Sequence, residues 1–128
     1  MPSTKHGTFH WNELLTDNVD AAKSFYGDVV GWTFDAMPMG EMTYYVAMDG
    51  DQPVCGVMTM PSNLEPGTPP HWMSYLAVDD VDARVAKAKA AGGAVLHEPF
   101  DVPGVGRIAI LRDGGNAVIG WITPAAGS

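Results

Sequence analysis

The chain has 128 residues, with 7 basic against 15 acidic, a net charge of −8 and a hydrophobic fraction of 46%. That length predicts a single domain, 1–128, with a core of its own. The charge excludes nucleic acid and anionic membrane as partners, because phosphate recognition needs clustered Lys and Arg.

Phe9 to Leu15 reads as a strand, with Thr16 or Asp17 placed to cap a helix. Asp17 to Val30 reads as that helix, because Val19, Ala22, Phe25, Tyr26, Val29 and Val30 recur at helical spacing as one apolar stripe. Gly31 ends it as a C-terminal cap. Trp32–Met37 and Thr43–Met48 read as strands, and Asp49-Gly50-Asp51 supplies turn chemistry before a third strand at Pro53–Met60. Pro61 to Pro70 is the linker-like stretch, rich enough in proline to run extended and stiff. His71–Val78 then reads as a strand and Asp79–Ala91 as a helix with Val81, Val85 and Ala88 on one face. Gly92 or Gly93 stops it. Ala94–His97, Gly106–Arg112 and Ala117–Thr123 are the remaining strands, with Asp113-Gly114-Gly115-Asn116 turning between the last two.

The second half repeats the first. Leu14 aligns with Leu76, Asp17 with Asp79, Val19 with Val81, Asp20 with Asp82 and Ala21 with Ala83, at one offset (76 − 14 = 62). Gly31 falls on Gly93 at the same offset (93 − 31 = 62). A repeat of this size marks two copies of one supersecondary unit. Each copy reads as βαβββ: module one over 7–60, the linker over 61–70 and module two over 71–124. Cys55 is the sole cysteine, which excludes an internal disulfide framework and fits a reducing compartment. No apolar run approaches the roughly 20 residues of a membrane span, and the start shows no signal-peptide pattern, so a cytoplasmic protein is expected.

Several of these residues carry a resemblance. They are the strand–Asp–helix openings at Asp17 and Asp79, Phe25-Tyr26 followed by Gly31-Trp32, Ala91-Gly92-Gly93-Ala94, and the turn at Asp113 to Asn116. Over essentially its whole length the chain resembles the vicinal oxygen chelate superfamily, which includes glyoxalase I, bleomycin-resistance proteins and extradiol dioxygenases. Trp11-Asn12-Glu13-Leu14, Pro70-His71-Trp72 and the run Val102 to Arg107 are similar to a glyoxalase-like branch. The resemblance implies an α+β fold: two βαβββ modules forming a curved, open, eight-stranded mixed sheet around a central cavity, with helices on the outer face. It also implies a homodimer.

In metal-using members of that superfamily the ligands, usually His or Gln and Glu, come from the first and last strand of each module. A divalent ion needs several N or O donors converging at about 2.0–2.2 Å. Carried over one at a time, those positions fall on Trp11, Gly56, Met73 and Gly120. None supplies a hard donor, so no cofactor is expected and the usual metal centre is absent from this reading. The alternative is a divalent metal. A slip of one residue turns every side chain of a strand to its opposite face. It would bring His10 onto the first position, with His71 and His97 as companions, and Trp72 onto the place of Met73.

Strand alternation sets Phe9, Trp11, Glu13 and Leu15 on one face, and Met73 with Tyr75 on the matching face of the fifth strand. The implied cavity lining is therefore apolar and aromatic with one carboxylate, and Gly56 and Gly120 are expected to leave room in it. Such walls suit a small organic molecule. Glu13 binds an amine or hydroxyl or moves a proton in one reading; in the other it anchors loop backbone or pairs with Arg107 or Lys23. Tyr75 donates a hydrogen bond into the cavity, or its hydroxyl simply reaches solvent or backbone. Trp11 and Met73 read as wall or core. Arg107 either clamps a ligand carboxylate or carbonyl, or pairs with Glu13, Glu98 or Asp101. Cys55 reads as a buried inert thiol.

The leading expectation is a metal-independent protein that binds a small aromatic or amine-bearing molecule. The alternative is an enzyme: a lyase, isomerase or dioxygenase-like protein, either metal-free with Glu13 and Tyr75 as the catalytic groups, or metal-dependent if the register slips. A third is a module with no turnover.

Overall fold

The computed structural model of the chain describes residues 3–61 and 67–125. Its elements are β1 (Phe9–Thr16), α1 (Val19–Val29), β2 (Thr33–Met39), β3 (Met42–Asp49), β4 (Gln52–Thr59), β5 (His71–Ala77), α2 (Val81–Ala90), β6 (Ala94–Val102), β7 (Gly106–Arg112) and β8 (Val118–Pro124). The βαβββ order therefore occurs twice. The strands are hydrogen-bonded in the order β2-β3-β4-β1-β5-β8-β7-β6, an open, mixed, eight-stranded sheet of an α+β fold. Most of the central part of the expected linker, residues 62–66, lies outside the described residues.

The chain divides into two compact units, Asn12–Met73 and the combination of Pro2–Trp11 with Ser74–Ser128. The boundary between these units lies outside the proline-rich stretch. It falls within β1 and β5. The reason is visible in the backbone: Gly7 N donates to Ala77 O and Ala77 N to Thr8 O, each at 2.8 Å, so the chain start is tied to the end of β5.

In the first unit β2, β3 and β4 are antiparallel, and β4 runs parallel to β1 with Glu13 opposite Gly56. Helix α1 begins later than the sequence suggests. The cap is Asn18, whose side chain accepts from Ala21 N at 3.0 Å. Neither Thr16 nor Asp17 takes that role; Thr16 is buried and its hydroxyl accepts from Asn18 N at 3.2 Å instead. The apolar stripe of α1 is only partly used. No residue of the helix is buried, and Phe25 and Val29 are 57% and 65% exposed. Tyr26 is the anchor: it stacks on Trp32 with centroids 5.2 Å apart and meets Trp72 edge-on at 5.8 Å.

In the second unit β8 runs parallel to β5 and antiparallel to β7, which pairs antiparallel with β6. Asp80 caps α2, accepting from Ala83 N at 3.2 Å. Asp80 stands at the repeat offset from Asn18 (80 − 18 = 62), so each helix is capped by the residue after the aspartate that marks the repeat. Asp79 instead takes a bidentate pair from Arg84, both contacts at 2.9 Å. Thr123 fixes the helix start from β8, accepting from Val81 N at 2.9 Å and donating to Val78 O at 3.0 Å. Val81 and Val85 are buried to 1% and 3% exposure against Val78 and Ala109, with Leu76, Val95 and Trp121 around them. Each such side chain contributes about 1.5–3 kcal/mol by area. This stripe is the one the sequence described correctly. Strand β6 runs on past His97 to Val102, pairing with β7 through two register shifts.

Candidate functional site

Residues directly opposite in a ladder share a face of the sheet, and so do residues two apart in one strand. In the first unit, Leu14, Tyr45 and Val57 share the α1 face, and Lys23 of α1 lies over the ring of Tyr45 at 4.1 Å. Glu13, Gly56 and Val46 are therefore on the opposite face, and Tyr44 joins them two residues from Val46. There the Tyr44 hydroxyl donates to Glu13 Oε2 at 2.8 Å in a half-buried setting. The same hydroxyl end of the ring lies where a Cβ on Gly56 would stand. A phenol donating to a carboxylate is a charge-assisted hydrogen bond, among the stronger polar contacts a protein makes.

The second unit holds a matching arrangement. Tyr75 stands at the repeat offset from Glu13 (75 − 13 = 62) and is opposite Gly120 in the ladder, as Glu13 is opposite Gly56. The ring of Tyr75 occupies the place of a Cβ on Gly120. The two glycines therefore do not leave room on their strands, as the sequence suggested. Each is covered by a tyrosine ring. Gly56 and Gly120 are small because an aromatic side chain lies on them.

Arg107 takes the ion-pair reading of the two the sequence offered. It shares its face with Ala109, which packs on α2, so it is on the side of the sheet opposite Gly120. Its guanidinium pairs with Asp82 of α2 at 2.7 Å and with Asp101 at 3.2 Å. Asp82 first, then Asp101, holds the guanidinium above its usual range, and Arg107 holds the Asp82 carboxyl below the usual carboxylate range. Arg107 is thus an ion-paired strut between β7, β6 and α2. Of its expected partners only Asp101 is among them. Lys23, the other cation offered for Glu13, is on the α1 face. Met73 is buried in the first unit and Trp11 half-buried in β1. Cys55 is buried, and burial pushes its thiol up to about 11.

The imidazoles are placed on backbone. His10 Nδ1 lies 2.8 Å from Ser3 O, His71 Nδ1 2.9 Å from Pro69 O, and His97 Nδ1 3.0 Å from Glu98 O. Among the described residues no group of three His, Cys, Asp or Glu side chains is arranged to hold a metal ion. Of the positions Trp11, Gly56, Met73 and Gly120, the two glycines stand in the parallel ladders opposite Glu13 and Tyr75. One carboxylate and two glycines covered by tyrosine rings do not fit a ligand set of His, Gln and Glu. An open hollow of about 490 Å³ lies at the start of α1, lined by Asp17, Asp20, Glu41, Tyr45 and Thr59 among others. It is on the helix side of the first unit, away from Glu13 and Tyr44.

Tyr44 is the residue that sequence reasoning missed. Alternation within β3 was visible, but the register of β3 on β4 was not, and only that register sets Tyr44 over Gly56 and beside Glu13.

The fold and this face of the sheet define a class, and the comparisons agree. Residues 8–119 match the Glyoxalase/Bleomycin resistance protein/Dioxygenase superfamily, and the chain belongs to it. Among individual relatives, "Putative glyoxylase CFP32" of Mycobacterium tuberculosis (strain CDC 1551 / Oshkosh) is 49% identical over 120 residues, 93% of this chain and 45% of that protein. "Anthracycline biosynthesis protein DnrV" of Streptomyces peucetius is 38% identical over 107 residues, 84% of this chain and 38% of that protein. The chain spans less than half the length of these curated relatives. Two of the solved structures that share the fold illustrate it. Methylmalonyl-CoA epimerase from Mycobacterium tuberculosis has a TM-score of 0.67 at 16% identity, covering 98% of this chain and 93% of that one. The Mn(II)-bound glyoxalase from Novosphingobium aromaticivorans has a TM-score of 0.62 at 20% identity, covering 96% of this chain and 41% of that one. No helix among the described residues is long and apolar enough to cross a membrane.

Proposed function

We propose that this chain binds a small aromatic or amine-bearing organic molecule without a metal, in the manner of the bleomycin-resistance type. The observation that carries the reading is the Tyr44–Glu13 hydrogen bond on the sheet face away from α1. It fixes one oriented polar point on that face, beside Gly56 and Val46, which is how small-molecule sites fix orientation. The name of the Streptomyces peucetius relative supports an aromatic ligand, since anthracyclines are polycyclic aromatics. A thermal-shift screen of aromatic amines against the purified chain tests the proposal. A saturable rise in Tm is expected for some of them; no rise across the screen sinks it.

A second reading is acid–base catalysis with Glu13. The same hydrogen bond favours it, because a carboxylate beside a phenol is equipped to take and return a proton. The glyoxylase name of the mycobacterial relative points the same way. Loss of turnover in Glu13→Gln with binding retained would establish it over sequestration. Elemental analysis of protein purified without chelator tests the metal-dependent version; a stoichiometric transition metal would overturn the metal-free one.

The chain is also proposed to be a cytoplasmic homodimer. Phe25, Val29 and Trp72 present exposed apolar surface of the kind that pairing covers. Light scattering should give twice the chain mass, and Phe25→Glu should shift it towards the monomer.

A further inference from the structure

Three of the chain's eight methionines, Met37, Met39 and Met42, stand at the tip of the β2–β3 hairpin. The turn between the strands is Gly40-Glu41. Gly40 has a φ of 67°, as a two-residue hairpin turn with glycine first requires. That turn pins the register, and Met39 is directly opposite Met42. Opposed residues of an antiparallel pair have Cβ atoms about 4.5–5.5 Å apart. Met37 is two residues from Met39 and opposite Tyr44, so the three methionines share the sheet face that carries Tyr44. Met37 and Met39 are 51% and 42% exposed, so neither serves the core. Met42 is half-buried and also borders the open hollow at the start of α1, which sets the cluster at the rim of the sheet.

We infer that Met37, Met39 and Met42 form a binding site for a soft monovalent metal ion, Cu(I). Thioether sulfur is a soft donor, which selects Cu(I) over the hard ions that carboxylates and carbonyls hold. Methionine is unbranched, with three rotatable bonds, so three sulfurs on one face of a hairpin tip can turn towards a single point. A thioether has no proton to lose, so it is ready as a ligand where a thiol must first ionise. Cys55, the chain's one thiol, does not compete: it is buried, and burial pushes it up to about 11. Asp35, two residues from Met37 on the same face, and Glu41 in the turn add negative charge beside the cluster, which favours a cation. These residues are a different set from Trp11, Gly56, Met73 and Gly120, and the inference does not depend on the small-molecule reading above.

The test titrates the full chain, with isotope-labelled methionine methyl groups, against Ag(I) as a redox-inert probe and against Cu(I) kept reduced by ascorbate. Each should bind at about one equivalent and move three of the eight methyl signals, and Cu(I) should be held against bicinchoninate. Zn(II) should move none of the three. Leucine is close to methionine in volume, so Met37→Leu, Met39→Leu and Met42→Leu combined should keep the fold and lose the metal. Met39→Leu alone should weaken binding about tenfold or more, and serves if the combined variant fails to fold. Copper that leaves with these methionines belongs to this hairpin and not to the metal-dependent catalysis weighed above. Failure of both ions to bind would overturn the inference. So would uptake that survives the methionine variants, uptake that is lost in Cys55→Ala, or Zn(II) displacing Cu(I).

Discussion

The ring of Tyr75 lies across Gly120, the residue opposite it in the parallel β5–β8 ladder, where no side chain could coexist with it. Tyr44 covers Gly56 in the first unit, but it does so with its hydroxyl end. The two contacts differ in how easily they yield. The groups over Gly120 are ring carbons near the root of Tyr75, which the backbone holds. Those over Gly56 are the far tip of Tyr44.

Gly120→Ala should therefore cost stability outright, about 1–3 kcal/mol for overpacking. Gly56→Ala should cost less stability, because the phenol can swing aside, but in swinging it must leave Glu13. Its main effect should be lost ligand affinity. Urea unfolding of both variants, with titration of Gly56→Ala by a ligand from the thermal-shift screen, checks this. Equal losses of stability with affinity intact would contradict it.

The helix caps give a second expectation. Asn18→Ala and Asp80→Ala should each cost about 1 kcal/mol, since each removes an acceptor for a backbone N–H in the first helical turn. Asp17→Ala, at an exposed residue next to the cap, should stay within about 0.5 kcal/mol. Chemical denaturation measures all three. A larger loss at Asp17 than at Asn18 would move the cap back to the earlier aspartate.

Acid should weaken the second unit in a stated direction. Arg107 holds the Asp82 carboxyl below its ordinary range, and Arg84 does the same for Asp79. A folded value below the unfolded one means the contribution is present above about pH 4 and is lost as pH falls through the depressed value. Tm should fall on acidification below about pH 4, and Asp82→Asn should reduce that fall. These pairs are at the surface, so added salt should shrink the effect. A slope unchanged in Asp82→Asn would remove Asp82 from the account.

Cys55 should be silent in the native protein. Burial pushes its thiol up to about 11, so little thiolate exists near neutrality. A disulfide reagent at about pH 8 should label it only after denaturation. The raised value also carries a sign: its contribution to stability is present below the unfolded value of about 8.5 and is lost as pH rises towards the folded one. Stoichiometric labelling of folded protein would contradict this.

Much of the fold was legible because it is local. Period-2 and helical spacing found all eight strands and both helices, with β6 alone running well past its expected end at His97, and the offset of Asp17 and Asp79 exposed the duplication from the residues alone. The helix stripes show where local pattern stops. Val81 and Val85 are buried as their spacing implies, yet Phe25 and Val29, spaced just as well, are exposed. Periodicity defines an apolar face but not what packs on it.

The site was legible in part for the same reason. Glu13, Gly56, Tyr75 and Gly120 stood out as chemistry along single strands, and the ladders do pair Glu13 with Gly56 and Tyr75 with Gly120. Tyr44 did not stand out, and Arg107 was set among them although it lies on the α2 side. Both outcomes depend on cross-strand register, a relation between residues far apart in the chain. The amino-acid order alone determined the duplicated βαβββ plan, because helices and strands arise from patterns among neighbouring residues. Only the folded sheet decided which glycine each tyrosine covers and which carboxylate each cation meets, because those contacts form when strands pair.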